Sequence, residues 1–218
     1  MPTPKPIRKP KVKALVPKQN SLSRPKESFN QAYYKRFYLN PATRVRATSA
    51  DSRLARFVFG YMDHLGIPVK RVLDMGCGLG KWSAQATKFH PRSAYTGVEI
   101  SAYLCGKYGW VESSAAEFQG RGRYDLVLCQ SVIQYLGDAE AKAAVENLAR
   151  LCRGALYLEI ITSEDWARHC DRKLTDGKVF LRSAHWYKRV LGRHFRSAGG
   201  GLFLPKDSPV VLYELERG

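Results

Sequence analysis

Acidic residues are scarce in this chain: 19 Asp or Glu stand against 36 Lys or Arg in 218 residues, a formal net charge of +17. Long apolar runs are missing too. Nothing approaches the roughly 18–20 residues that a membrane-spanning helix requires, and no membrane association is expected. The basic N-terminus is not followed by an apolar stretch, so it does not read as a secretory signal. Cysteines are few and unpaired. Cys77, Cys105, Cys129, Cys152 and Cys170 contain no C-x-x-C pair and are odd in number. A disulfide framework and a zinc ribbon are thereby excluded. A reduced, cytoplasmic setting without bound metal is the simplest account.

The excess positive charge is concentrated at one end. Residues 1–48 hold twelve Lys or Arg and a single acid, Glu27. Residues 1–26 are rich in Pro and Lys and poor in large apolar groups. Such a segment buries too little surface to offset its conformational entropy. It is expected to be a disordered basic arm, either a solubilising tail or an attractant for an acidic partner such as RNA or DNA.

The whole sequence is 44% hydrophobic, enough for one α/β domain with a core of its own. Its most informative stretch is 72–80, Val-Leu-Asp-Met-Gly-Cys-Gly-Leu-Gly, followed nineteen residues after Gly80 by Glu99. A short apolar run ends in an acid, three glycines alternate with other residues, and a helix-compatible segment follows. Glycines there admit turn dihedrals that a Cβ disfavours and let a ligand approach the backbone. Glu99 closes a second apolar run, where a carboxylate suits the two hydroxyls of a ribose. A dinucleotide fingerprint requires glycine at 76, 78 and 81, but position 81 is Lys. Asp74 beside the loop would repel a pyrophosphate and favours a ligand carrying a sulfonium and an ammonium.

The stretch Asp74-x-Gly76-x-Gly78-x-Gly80 with Glu99 resembles motif I and the following acidic position of the class I S-adenosylmethionine-dependent methyltransferases. The resemblance covers roughly residues 68–215. It implies an α/β fold: a Rossmann-like, doubly wound, mostly parallel seven-stranded sheet with an antiparallel C-terminal hairpin. It also implies S-adenosyl-L-methionine as cofactor. Carried over by position, Gly76, Gly78 and Gly80 would approach the methionine and ribose portions. Asp74 would fix the loop and Glu99 would hold the ribose. Ser114 matches the adenine-side position, where an acid is commoner. Gln130 matches the polar residue at the methionine end after the fourth strand.

Periodicity fills in the rest. Residues 27–67 read as N-terminal helices that pack on or lid a domain over 68–218. The aromatics Phe29, Tyr33, Tyr34, Phe37 and Tyr38 recur at helical spacing, and 51–65 carries an apolar face. Strands are expected at 71–75, 94–100, 110–112, 124–129 and 155–161, alternating with helices, which implies a parallel sheet. The helix over 138–152 is expected to be capped by Asp138 and ended by Gly154. A late helix is expected over 183–195, and a closing hairpin from 202–204 and 210–215. Asp125 reads as a structural acid at its strand's edge.

Methyl transfer chiefly needs alignment and exclusion of water, so no catalytic base is assigned. The segment after the fifth strand offers an acceptor pocket, with Tyr135, His169 and Tyr187 as candidate substrate residues. Asn/Asp-Pro-Pro-Tyr/Phe, common in base-methylating enzymes, is absent after the fourth strand. A small-molecule acceptor is therefore expected. The alternatives are a nucleic-acid (RNA) methyltransferase using the basic arm and a non-catalytic cofactor-binding module. The oligomeric state is left open.

Overall fold

Seven strands form one sheet in the order β3-β2-β1-β4-β5-β7-β6. They are β1 (Arg71–Met75), β2 (Ala94–Glu99), β3 (Val111–Glu112), β4 (Tyr124–Gln130), β5 (Cys152–Glu159), β6 (Phe195–Ser197) and β7 (Leu202–Pro205). The computed structural model describes residues 23–44 and 48–216; of the arm expected over 1–26, residues 1–22 lie outside this range. β1 pairs parallel with both β2 and β4, β4 parallel with β5, and β7 runs antiparallel between β5 and β6. The chain reverses direction along the sheet beside β1, so the carboxyl ends of β1, β2 and β4 open onto one crevice, where ligands of such sheets bind.

Helices cover both faces. α2 (Thr48–His64) and α3 (Lys81–Phe89) lie on one side, where Phe59, Met62 and Trp82 bury against Val72, Leu126 and Leu128. α5 (Asp138–Leu151) and α7 (Ala184–Leu191), the latter preceded along the chain by the short α6 (Ser163–Arg168), lie on the other, where Leu148, Leu151 and Leu191 meet Leu73, Met75 and Val127. Val72 and Leu73 therefore serve opposite cores, as the period-two alternation of a strand requires. α1 (Gln31–Tyr34) runs on into a π turn at Lys35–Leu39. With α4 (Ala102–Tyr108), it builds a third cluster, in which Phe29, Tyr33, Tyr34 and Phe37 pack with Leu104 and Tyr135. That cluster forms part of the crevice wall. Ser23 and Arg24 pack there as well, so the body of the protein begins earlier than residue 27. No helix among the described residues is long and apolar enough to cross a membrane.

The expected ending is corrected. The hairpin is formed by β6 and β7 around Gly199, Gly200 and Gly201, all at positive φ (79°, 58° and 82°). Three consecutive left-handed residues make the turn, a conformation that glycine adopts without steric penalty. α7 thus ends at Leu191, and Phe195 belongs to a strand. Residues 210–215 form no strand. They alternate, with Leu212 buried and Val211 and Tyr213 exposed, but β6 already occupies the sheet edge.

Two boundaries move for local reasons. α5 gives way directly to β5 at Cys152. Gly154 is a strand residue rather than a helix stop, because a Cβ there would lie 2.2 Å from the Asp125 carbonyl oxygen. Gly137, not Asp138, is the N-cap of α5. Asp125 is structural, as expected: its carboxylate accepts from the Lys70 and Arg71 amides and pairs with Arg153 at 2.7 Å. Burial works against its charge, but these donors hold its carboxyl below the ordinary value.

Candidate active site

The loop after β1 is tied to β2. The amides of Gly76 and Cys77 both donate to the Val98 carbonyl, at 2.8 and 3.0 Å. The glycines of this loop differ in purpose. A Cβ on Gly76 would stand 2.2 Å from Val132, and one on Gly80 would stand 2.7 Å from the Trp110 ring. A Cβ on Gly78 would meet only the Gly76 carbonyl oxygen, at 4.0 Å. Gly76 and Gly80 are therefore fixed by packing within the protein, whereas Gly78 faces open space in a cavity of about 710 Å³.

Glu99 ends β2 and is 4% exposed. Its Oε2 accepts from the Gly78 amide at 2.8 Å. Its Oε1 accepts from the amides of Ile100 (2.9 Å) and Ser101 (3.1 Å) and from the Tyr34 hydroxyl (3.2 Å). Asp74, buried at the end of β1, accepts from the Tyr95 hydroxyl at 2.5 Å. Burial pushes its carboxyl up to about 7; the Tyr95 bond opposes this and the nearby Glu99 charge adds to it.

Beyond the loop the cavity divides into two ends. On the β3 side, Ser114 donates to Glu117 at 3.1 Å, and both residues line the wall. At the tip of β4, Gln130 is held at both ends of its amide: Oε1 accepts from the Trp82 indole (3.0 Å) and Nε2 donates to Glu159 (3.2 Å). The next residue, Ser131, is a non-glycine with φ of 57°. That conformation costs an L-residue on the order of 1–3 kcal/mol and clusters at functional sites. The far wall holds Tyr135, His169 and Asp176, with Arg24 and Tyr33 facing them. The hydroxyls of Tyr33 and Tyr135 lie 2.9 Å apart.

A model of the methyltransferase domain family matches residues 29–207. The chain belongs to the class I methyltransferase family, whose enzymes use S-adenosylmethionine. It is 26% identical over 162 residues to trans-aconitate 2-methyltransferase of Deinococcus radiodurans, over 69% of this chain and 58% of that protein. The chain thus spans little more than half the length of that curated relative. Among solved structures, Streptomyces venezuelae DesVI matches 81% of this chain and 98% of its own at a TM-score of 0.59 and 15% identity. PH0226 of Pyrococcus horikoshii OT3 matches 81% and 100% at 0.58 and 16%. The plantazolicin methyltransferase BamL, solved with a triazolic desmethylPZN analog and SAH, matches 67% and 62% at 0.54 and 17%. At such identities these structures speak for the fold alone.

The fold brings most of the sequence-derived candidates around one cavity. Asp74, Gly76, Gly78, Glu99, Ser114, Gln130, Tyr135 and His169 all line it. Two candidates lie elsewhere. Gly80 is left-handed at the start of α3 and leaves room for Trp110 rather than for a ligand. Tyr187 is in the core, 4% exposed, and accepts from Arg182 at 3.2 Å. Its aromatic bulk joins α7 to α5 and the sheet, and it does not line the cavity. Arg182 likewise pairs with Asp138.

Other site residues escape sequence reasoning. Trp110 straps the loop, donating to the Gly78 carbonyl at 3.1 Å. Gly97, whose Cβ would stand 2.7 Å from that ring, carries no motif. Glu117 brings to the wall the acid that Ser114 lacks, and its offset of three residues across a single turn is the available signal. Arg24 lies in a segment whose composition reads as a disordered arm.

Proposed function

We propose that this methyltransferase transfers the methyl group of S-adenosylmethionine to a small-molecule acceptor held in the same cavity, with Asp74, Gly76, Gly78, Glu99, Ser114 and Gln130 on the cofactor side. The observation that carries this reading is the Glu99 carboxylate. It stands at a strand tip on the cavity wall, one oxygen bracing Gly78 and the other facing Tyr34.

These residues fit the cofactor. Beyond the Gly78 amide, Oε2 of Glu99 keeps a lone pair for a ribose hydroxyl, and the Tyr34 hydroxyl sits where a second such donor would bind. Gly78 leaves the backbone bare. Asp74 suits the positively charged amino-acid end, which would favour its ionised form. The Glu117 carboxylate is an acceptor suited to an exocyclic amine. When bound, the cofactor supplies a methyl group already activated by its sulfonium charge. The protein's own share is alignment and desolvation. The aromatic cluster of Tyr33, Tyr34, Phe37 and Tyr135 borders the crevice and limits the access of water.

The same enclosure favours a small acceptor over a nucleic acid, since the cavity is bordered by the segment from Ser23 to Tyr38 and has carboxylates on its walls, which oppose phosphates. Titration calorimetry with S-adenosylmethionine, S-adenosylhomocysteine and NAD tests the cofactor assignment; binding of NAD alone would overturn it. Incubation with labelled cofactor and a cell extract fractionated into small molecules, RNA and protein tests the acceptor class. Label in the small-molecule fraction is the expected outcome.

A further inference from the structure

We propose that the acceptor is a cationic amine, and that the chain's own Arg24 occupies the place of that cation in the free protein. This rests on the reading of the cavity as a methyl-transfer site.

The guanidinium carbon of Arg24 lies 4.7 Å from the ring centroid of Phe29, 4.9 Å from that of Tyr33 and 5.2 Å from that of Tyr135. Its Nη1 pairs with Asp176, and its Nε donates to Ser28 at 2.7 Å. The side chains of Arg24 and Asp176 are only 10% and 9% exposed. Three aromatic faces and one carboxylate around a buried positive charge constitute a cation receptor, since ring quadrupoles attract a cation and favour a quaternary or protonated nitrogen over an anion.

The cavity's charge agrees. Eight Asp or Glu and three Lys or Arg line it, the reverse of the chain as a whole, where basic residues outnumber acidic ones nearly two to one. In a confined, low-dielectric space such a lining repels carboxylates and phosphates and raises the local concentration of ammonium ions. Tyr33 of the receptor is followed directly by Tyr34, which reaches Glu99. The cation receptor and the proposed ribose site are thus adjacent on one helix.

The step balances without any further reactant. With Arg24 displaced, an ammonium enters the three rings and gives its proton to Asp176. The lone pair freed on nitrogen forms the new C–N bond to the methyl carbon as the C–S bond breaks. The bonding pair stays on sulfur, leaving a neutral thioether and a methylated ammonium. Asp176 returns its proton to water.

The test uses the full chain and three proteins: wild type, Arg24→Ala, and Arg24→Ala with Asp176→Asn. Calorimetry with S-adenosylhomocysteine comes first; no binding by wild type would remove the cofactor reading itself, an outcome separate from any result with a guanidinium or amine probe. Methylguanidinium at millimolar concentration should raise the melting temperature of Arg24→Ala by several degrees, leaving wild type and the double variant unmoved. No shift in Arg24→Ala overturns the proposal. A second measurement needs no variant. Spermidine and trans-aconitate are each titrated into wild type saturated with S-adenosylhomocysteine. Tighter binding of spermidine is expected. Tighter binding of trans-aconitate would make Arg24 an anchor for a carboxylate acceptor and overturn the proposal.

Discussion

The amide of Gly78 donates to Glu99 Oε2 at 2.8 Å, so the tip of β2 braces the glycine loop that follows β1. The carboxylate that should meet the ribose also sets the shape of the loop beneath it. Loss of Glu99 should therefore be felt twice. Glu99→Ala should weaken S-adenosylhomocysteine binding by roughly 1–3 kcal/mol, the scale of removing a charged hydrogen-bond partner. It should also lower the melting temperature, because the amides of Gly78, Ile100 and Ser101 lose their acceptor. Calorimetry beside a melting curve checks both. Unchanged affinity in the variant would take Glu99 out of the cofactor site.

Asp74 gives the ligand-free protein a pH signature. Its carboxyl is pushed up from an ordinary value of 3.8 to about 7 by burial. Between these values the folded state holds a proton that the unfolded state has released. The contribution of Asp74 to stability is therefore greatest below pH 4 and is lost as pH rises toward 7, by up to about 1.4 kcal/mol per pH unit. Above pH 7 it should be flat. Asp74→Asn should remove this slope, as followed by urea denaturation at several pH values. A variant with the same pH dependence as wild type would show that the carboxyl titrates normally.

The glycines should separate in behaviour. Gly78→Val places a branched side chain into the cavity and costs about 1–2 kcal/mol for its left-handed φ of 52°. The fold should survive, as judged by circular dichroism, while cofactor binding is lost. Gly76→Ala drives a methyl into Val132 at a left-handed φ of 79°, so its main effect should be a lower midpoint in denaturant. Retention of full cofactor affinity by Gly78→Val would mean that this backbone is not approached by the ligand.

At the acceptor end the three candidates should separate in behaviour. Tyr187→Phe removes one hydrogen bond in the core and should cost about 1 kcal/mol of stability, with turnover per folded molecule unchanged. His169→Ala and Tyr135→Phe alter the cavity wall and should lower turnover more than cofactor affinity. The decisive comparison is turnover against S-adenosylhomocysteine binding for the three proteins. Loss of turnover in Tyr187→Phe at intact stability would return Tyr187 to the site.

The glycine loop and its two acids are legible in the sequence because they are written locally. Residues 71–80 combine an apolar strand, an acid and a glycine turn within ten positions, and Glu99 terminates the next strand. The end of the chain is less legible. The alternation over 210–215 matches strand periodicity, but periodicity does not say whether a partner strand is free, and the glycines at 199–201 read equally as a break or as a turn. Trp110 and Gly97 are illegible in principle, since their fit is a shape match across β2 and β3 and has no spacing. Arg24 is hidden by its neighbours, because the composition of a window says nothing about a single side chain that finds a carboxylate 152 positions further on.

The strap formed by Trp110 across the Gly78 carbonyl, together with Trp82 bonded to Gln130, gives the molecule an optical readout. Of its four tryptophans, these two touch the loop and the strand tip that the cofactor is proposed to contact. Indole emission responds to changes in hydrogen bonding and hydration, so occupancy of the crevice should register as a change in intrinsic fluorescence. Trp110→Phe should remove part of that signal while the fold remains. An unlabelled sample in a cuvette would then report cofactor binding directly, before any acceptor has been identified.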